Sequence, residues 1–269
     1  MVQFISLSSG SNGNCYYIGD GVRGILIDVG IGARSVKKRL LQNGIDVNSI
    51  VMVLVSHDHF DHIRSLGTFT ERFKKPVYAT DEVLCALEHH YCTAGYMKGC
   101  THALRPDVEN DIDGILVTPF RVPHDAEDTV GYHILFNGER FTFMTDIGAP
   151  TDAAVHYASL AAHLIVEANY DVDMLMRGSY PPELKRRIMA GHGHLSNEQM
   201  ALLLKRCWHK GLKDIYLCHL SENNNTPSLA LAAAREALRE LGVSESEVNL
   251  KHLPRREASE LFSFLPPID

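Results

Sequence analysis

Short apolar runs rich in Val, Ile, Phe and Tyr alternate along the chain with segments whose apolar positions recur three and four residues apart. The first pattern predicts buried or half-buried strands, the second amphipathic helices. Residues 4–9 (FISLSS), 15–20 (CYYIGD) and 24–30 (GILIDVG) predict strands, the first two flanking a Gly/Ser/Asn turn. Residues 33–44 predict a helix stopped by Gly44, which has the freedom to turn left-handed after the last helical residue. A continuous apolar strand follows at 50–55, then a helix over 62–73, a short strand at 76–80 and a helix starting near Asp81. The middle is strand-rich, with 114–122 followed by 131–146, where Asn137-Gly138 between alternating runs signals a hairpin. The last third alternates: a helix from Thr151, a strand at 163–168, helices at 181–190 and 196–208, a strand at 214–220, a helix at 227–241 and a closing strand.

A strand-rich stretch followed by helices thus occurs twice. It predicts an α/β fold, an αββα sandwich of two mixed β-sheets packed face to face with helices outside. No repeat is visible in the letters, and no Ser/Gly/Pro-rich linker or charge block divides residues 1–269, which read as one domain. At 45% hydrophobic, 269 residues suffice for a sizeable core. The N-terminal MVQFISLSSG lacks the basic and long apolar regions of a signal peptide, and no apolar stretch is long enough for a membrane span. The six cysteines (15, 85, 92, 100, 207, 218) form no CxxC pair and read as reduced thiols of a cytoplasmic protein. Cys92 and Cys100 flank TAGYMKG and read as two free loop thiols rather than a local metal or redox pair. A net charge of −7 argues against a broad basic face for nucleic acid. The basic clusters at 34–39, 72–75 and 184–187 read first as solvated helix faces.

The chemistry concentrates in SHDHFDH, residues 56–62, where the buried strand 50–55 emerges. Strand ends are where α/β sheets place their sites. His57 and His59, two apart on an extended exit, can point to one side, and Asp61 and His62 begin the next helix. Imidazole and carboxylate suit zinc, manganese or iron. One turn cannot complete two metal spheres, and three further metal-affine residues end apolar runs: His124, Asp146 and His219.

SHDHFDH resembles the His-x-His-x-Asp-His signature of the metallo-β-lactamase superfamily, and the later strand-end residues match its later ligand motifs, over essentially the whole chain. The resemblance implies that His57, His59 and His124 hold one divalent ion. It implies that Asp61, His62 and His219 hold a second, with Asp146 bridging. Asp28 would support the ligand turn by hydrogen bonds without binding metal. Two such ions about 3.5–4 Å apart serve hydrolysis. The motifs around Glu167 and His194 (LIVEANYD, AGHGHLSNEQM) resemble those of the ribonuclease Z branch. There the histidine serves the phosphate and leaving oxygen and the glutamate orients it, so the candidate catalytic residues are Asp61, His194 and Glu167. His192 is the second choice for the acid, and Ser196 is read as the next helix cap with Glu198 close behind.

SLSSGSNGN, PHDA, TDIG, EANYDVDML, YPPELKRRI, GHLSN and CHLSENNN occur in order, and together they resemble the YycJ/VicX-like metallo-hydrolases. These are cytoplasmic bacterial proteins associated with 5′-to-3′ DNA exonuclease activity and mismatch repair. The expected substrate is therefore nucleic acid, DNA before RNA, with zinc, manganese or iron as the ions. The expected phosphate contacts are Ser9, Ser11, Asn14, Lys185, Arg186 and Arg187. No aromatic run suggests base stacking, so backbone contact is expected. Pro123 stands where the family pattern has serine, and HHYCTAGYMKGC (89–100) has no counterpart in it. The rival readings are a same-fold hydrolase of a thioester, lactone or cyclic nucleotide, and a regulatory protein that binds metal without turnover.

Overall fold

The computed structural model describes residues 1–264. The first half runs β1 (Val2–Ser8), β2 (Cys15–Gly19), β3 (Gly24–Ile27), α1 (Ala33–Gln42), β4 (Ile50–Leu54), α2 (Phe60–Ile63), α3 (Leu66–Phe73), β5 (Val77–Ala79), α4 (Asp81–His89) and β6 (Thr101–Ala103). The second runs β7 (Asn110–Ile112), β8 (Ile115–Arg121), β9 (Val130–Phe136), β10 (Glu139–Met144), α5 (Asp152–Ala158), β11 (His163–Glu167), α6 (Val172–Arg177), α7 (Pro182–Met189), α8 (Asn197–Cys207), β12 (Asp214–Cys218), α9 (Pro227–Glu240), β13 (Asn249–His252) and β14 (Phe262–Phe264).

The strands form two sheets, ordered β14-β1-β2-β3-β4-β5-β6 and β13-β12-β11-β10-β9-β8-β7. Both are mixed. Pairing is antiparallel from β14 to β3 and parallel from β3 to β6. In the second sheet it is parallel from β13 to β10 and antiparallel from β10 to β7.

The period-two alternation of strands sorts apolar side chains into layers. On β3 and β4, Ile25, Ile27, Met52 and Leu54 enter the space between the sheets. There they join Ile134, Phe143 and Tyr216 of the second sheet. Leu26 and Val53 point the other way and pack with Val36, Leu40 and Phe69 of α1 and α3. Leu164 and Leu217 of the second sheet likewise meet Ala154, Leu203 and Ala234 of α5, α8 and α9. These strands read as unbroken apolar runs because both faces are covered. The predicted αββα sandwich is therefore the observed layering.

Local expectations mostly match. Asn137 (φ +46°) and Gly138 (φ +86°) form the left-handed pair of the β9–β10 hairpin. Gly44 (φ +75°) follows the α1 cap residue Asn43. Ser196 caps α8 in a capping box whose partner is Gln199, one residue beyond Glu198. The expected helix over 62–73 is instead two helices, with α2 starting at Phe60. Val29 is the reason: its N–H donates to His62 O (2.8 Å) and its carbonyl accepts from Ser65 N–H (3.0 Å). The end of β3 thus interrupts the helix and binds the ligand turn to itself.

Phe143 is buried between the sheets, edge-on to Tyr16 with ring centres 4.5 Å apart. Phe143→Ala is expected to lower unfolding free energy by about 3–5 kcal/mol in urea titrations, the usual cost of emptying an aromatic core site. A loss below about 1 kcal/mol would contradict this packing.

Candidate metal centre

β1, β3, β4, β8, β10, β11 and β12 deliver the site. The alternating pairings leave β1 parallel to β3 and β4, and β8 parallel to β10, β11 and β12. Their C-terminal ends therefore fall at one edge of each sheet. The residues that follow are Ser9, Asp28, His57, His124, Asp146 and His219, with Glu167 as the last residue of β11. Asp28 (φ +58°), Asp146 (φ +53°) and His219 (φ +52°) are left-handed, which turns each chain sharply out of its strand. Asp and His are among the few side chains that enter this region readily.

Each imidazole has one nitrogen engaged away from the centre, which fixes which nitrogen faces inward. His62 Nδ1 donates to Asp28 Oδ2 at 2.7 Å. His57 Nδ1 donates to Ser56 Oγ (2.9 Å), which in turn donates to Asp28 Oδ2 (2.8 Å). His124 Nδ1 donates to Gly193 O (2.7 Å), and His59 Nε2 to Asp125 O (3.3 Å). His219 Nδ1 donates to Glu167 Oε1 at 3.0 Å.

The inward atoms form overlapping groups within 4.8 Å of one another: His57, His59 and His124; Asp61, His62 and His219; and His57, His62 and Asp146. Their environment fits divalent cations. His57 Nε2 and His219 Nε2 are buried with no hydrogen-bond partner. His59 Nδ1 and His124 Nε2 face each other at 3.2 Å, so their two lone pairs repel unless something positive lies beside them.

The charges say the same. Burial opposes a proton on His62, yet Asp146, Asp28 and Asp61 hold its pKa well above the usual imidazole range. Against the same desolvation, Asp146, Asp61 and Glu167 push His219 up to about 10. His57 is pulled well below by burial and by the neighbouring imidazoles of His62, His124 and His59. The carboxylate side of the centre, around His62 and His219, thus favours positive charge, while burial disfavours a proton on His57 and His124.

Asp146, Glu167, His194 and His219 make a fourth group within 4.8 Å, drawn together by the hydrogen bonds of both imidazoles to Glu167. Glu167 is fully buried. Its Oε2 accepts from Ile147 N–H (3.1 Å) and Leu195 N–H (3.0 Å), and its Oε1 from His194 Nδ1 (2.7 Å) and His219 Nδ1. Four donors occupy the roughly four lone-pair sites of a carboxylate, leaving none for a metal. His194 keeps 22% side-chain exposure, with Nδ1 turned back to Glu167 and 3.6 Å from Asp146 Oδ1. Burial opposes its charged form, but Glu167 and Asp146 raise its pKa above the usual value. His192 is exposed, two residues away along the chain.

The expected phosphate contacts divide. Ser9 is buried, its hydroxyl accepting from His219 N–H (2.9 Å) and from Tyr16 OH (2.9 Å). Asn14 is buried too, its amide donating to Asp61 Oδ2 (3.2 Å) and Gly10 O (3.2 Å). Both expectations are corrected: these groups are spent holding the site together. Lys185 is also corrected, since its ammonium is tied to Met176 O and Gly178 O at 2.8 Å each. Arg186 is exposed with no site contact. Ser11 and Arg187 do border a cleft of about 280 Å³ with Asp125, Asn169, Tyr180 and His194. Arg187 pairs with Asp125 across its rim. Cys92 and Cys100 are free thiols outside these metal-affine groups. Sequence reading passed over Asp125, though its place directly after His124 was a signal, and Ser56, whose link to Asp28 only the fold creates.

The profile of the β-lactamase superfamily domain matches residues 23–219. YycJ of Bacillus anthracis, named an exodeoxyribonuclease, is 33% identical over 246 residues, 91% of this chain and 92% of the relative. WalJ of Streptococcus pneumoniae, also named an exodeoxyribonuclease, is 30% identical over 224 residues, 83% of each. Among solved structures, the metallo-β-lactamase fold protein YhfI of Bacillus subtilis superposes with a TM-score of 0.70 at 16% identity, over 96% of this chain and 98% of that one. Zn²⁺-bound PqqB of Methylobacterium extorquens gives 0.68 at 16% identity, over 96% and 99%. The short form of human tRNase Z gives 0.62 at 17% identity, over 99% and 100%. These structural likenesses establish a shared fold.

Asp28→Ala removes the acceptor of His62 Nδ1–H and of both Ser56 donors. It is expected to weaken divalent-ion binding about 10–100-fold, the usual effect of losing a ligand's supporting hydrogen bond. Titration with zinc under competing chelator measures this, and wild-type affinity would remove Asp28 from that role.

Proposed function

The chain belongs to the β-lactamase superfamily, and from that membership we propose that it is a cytoplasmic metal-dependent phosphodiesterase, an exodeoxyribonuclease of 5′-to-3′ polarity. The observation that carries the reading is the Glu167-held His194 beside the metal-affine groups. A phosphodiester has a poor alkoxide leaving group and gains from a positioned proton donor. An activated thioester gains little from one. The names of the curated relatives supply the substrate class.

His57, His59 and His124 would hold one divalent ion, Asp61, His62 and His219 a second, and Asp146 both. The imidazole-rich set suits zinc, and the carboxylate-bearing set also suits manganese or iron. When bound, such ions supply Lewis acidity towards water and the phosphoryl oxygens. The chain's own groups do the rest. Asp28 and Ser56 engage Nδ1 of His62 and of His57, so that Nε2 is the nitrogen each ring turns inward. Glu167 takes the Nδ1–H of His194, leaving Nε2–H to donate to the leaving oxygen. Arg187 and Ser11, at the cleft rim, contact the phosphates on either side.

Glu167 has a second task that its sequence context did not reveal, since the same carboxylate oxygen orients His219. His194→Ala is expected to retain both ions and lose about 10²–10⁴-fold in kcat on DNA, with a smaller loss on a p-nitrophenyl phosphodiester that needs no protonation. Glu167→Gln presents an amide N–H₂ either to imidazole donors or to main-chain donors. It is expected to lower ion affinity as well as rate. Loss of ions in His194→Ala, or equal loss on good and poor leaving groups, would remove the acid role. Product mapping on end-labelled duplexes reads the polarity.

Because Lys185 is tied to two carbonyls and Arg187 is paired with Asp125 at the rim, few counterions leave on binding. Arg187→Ala is expected to reduce the slope of log K against log salt by about one, with Lys185→Ala leaving it unchanged. Equal slopes for wild type and Arg187→Ala would withdraw Arg187 from the phosphate path.

A further inference from the structure

Phe60 lies inside the ligand turn, between His59 and Asp61, and is 45% exposed. Metal binding has no use for an aromatic side chain there. Tyr91, 74% exposed, lies beside it, with ring centres 6.0 Å apart and planes within 21°. His90 stacks on Tyr91 at 4.6 Å and 28°. The Arg64 guanidinium lies 5.9 Å from the centre of the Phe60 ring. Three rings and a planar cation thus gather at the edge of the metal-affine cluster, though the residues are not consecutive.

The segment that carries Tyr91 is fixed in place. Thr93 is buried, and its hydroxyl bonds both Leu87 O and His90 O. Met97 is buried against the first sheet's helices. Gly67 of α3 lets the segment approach: a methyl group there would lie 2.5 Å from Cys92 O and 2.9 Å from the Tyr96 ring. The segment is seated so as to bring Tyr91 alongside Phe60.

We propose that Phe60 and Tyr91, backed by Arg64, form a stacking platform for one unpaired nucleobase of the substrate, holding it next to the phosphate to be cut. The inference rests on the nuclease reading above and narrows its substrate to strands with a free base face. Aromatic platforms take any base, because every base has a π-face, and Arg adds a cation–π contribution. A base inside a duplex already has both faces stacked, so an unpaired or frayed end is preferred. An acidic chain gains from such a contact what phosphate pairing supplies only weakly.

The test uses single-stranded phosphorothioate oligodeoxynucleotides, which resist cutting, with one abasic position moved along the strand. Binding is read by fluorescence anisotropy. For wild type, one position is expected to lose about 5- to 100-fold in affinity when abasic, the range for one stacked base. Tyr91→Ala is expected to lose a similar factor on the intact strand and nothing further at that position. Tyr91→Trp should restore both the affinity and the abasic penalty, and Phe60→Leu should behave as Tyr91→Ala does. Comparing two strands on the same variant cancels any general effect on folding. An abasic penalty of equal size in wild type and Tyr91→Ala overturns the platform. If wild type cuts DNA while that penalty persists in Tyr91→Ala, the platform alone falls. If wild type neither binds nor cuts any oligonucleotide, the nuclease reading falls and takes the platform with it.

Discussion

The buried carboxylate of Asp28 is the constraint on which the site depends. Without a shell of donors such a group would be costly at the end of β3. Three donors meet it: Ser56 N–H, Ser56 Oγ–H and His62 Nδ1–H. All three come from the ligand turn after β4, so satisfying Asp28 and building the turn are one event. The main chain repeats the constraint. Asp28 N–H donates to Leu54 O, and Val29 bonds both His62 and Ser65. At Gly30 a methyl group would lie 1.7 Å from Asp61 O, so the turn closes onto β3 with no room for a side chain. Parallel pairing of β3 with β4 brings these ends level, and the local left-handed turn at Asp28 aims its carboxylate across.

Glu167 plays the corresponding part in the second sheet. It closes β11, lies beside β12 in parallel register with Cys218, and is satisfied by donors from three loops. Because one oxygen serves both His194 and His219, His194 and the metal-affine set are coupled through a single atom. Changes at these three positions should therefore combine non-additively. Asp146 sits between the two systems. Burial alone would raise its pKa, yet His219 and His62 hold it well below the usual carboxylate range.

The layering and the strand-end positions were legible because they follow from periodicity. Doubly buried strands such as 50–55 are apolar without a break, and the polar residue that ends each one stands out. Short elements were legible only where they are apolar and covered, as in β5. β6 and β7 span three residues each and are mostly exposed or half-buried, and β14 is as short. The split of α2 from α3 is imposed by Val29, far away in sequence. The misreadings of Ser9, Asn14 and Lys185 share one cause. Small polar and basic residues look alike in a sequence whether they face water or complete a buried network, and only the partner decides. His219 N–H decides for Ser9, Asp61 for Asn14, and two carbonyls at the end of α6 for Lys185. The aromatic pair was invisible for a related reason: Phe60 and Tyr91 are stacked by the fold and separated by the chain.

These features together explain how a chain of net charge −7 can serve a polyanion. Its carboxylates are not spread evenly. Asp28, Asp146 and Glu167 are buried around the imidazoles, with Asp61 beside them, where they stabilise cations rather than repel substrate. At ionic strengths near physiological, exposed charges beyond about 8 Å are largely screened. On the proposed reading, what a phosphate meets is therefore set by the immediate surroundings of the cleft, with Arg187 and His194 in its lining, and not by the average. A protein built this way has little hold on nucleic acid away from its centre. On the stacking proposal, its selectivity comes from the fit of one phosphate and its neighbouring base, which suits removal of nucleotides from an end better than tracking along a duplex by charge.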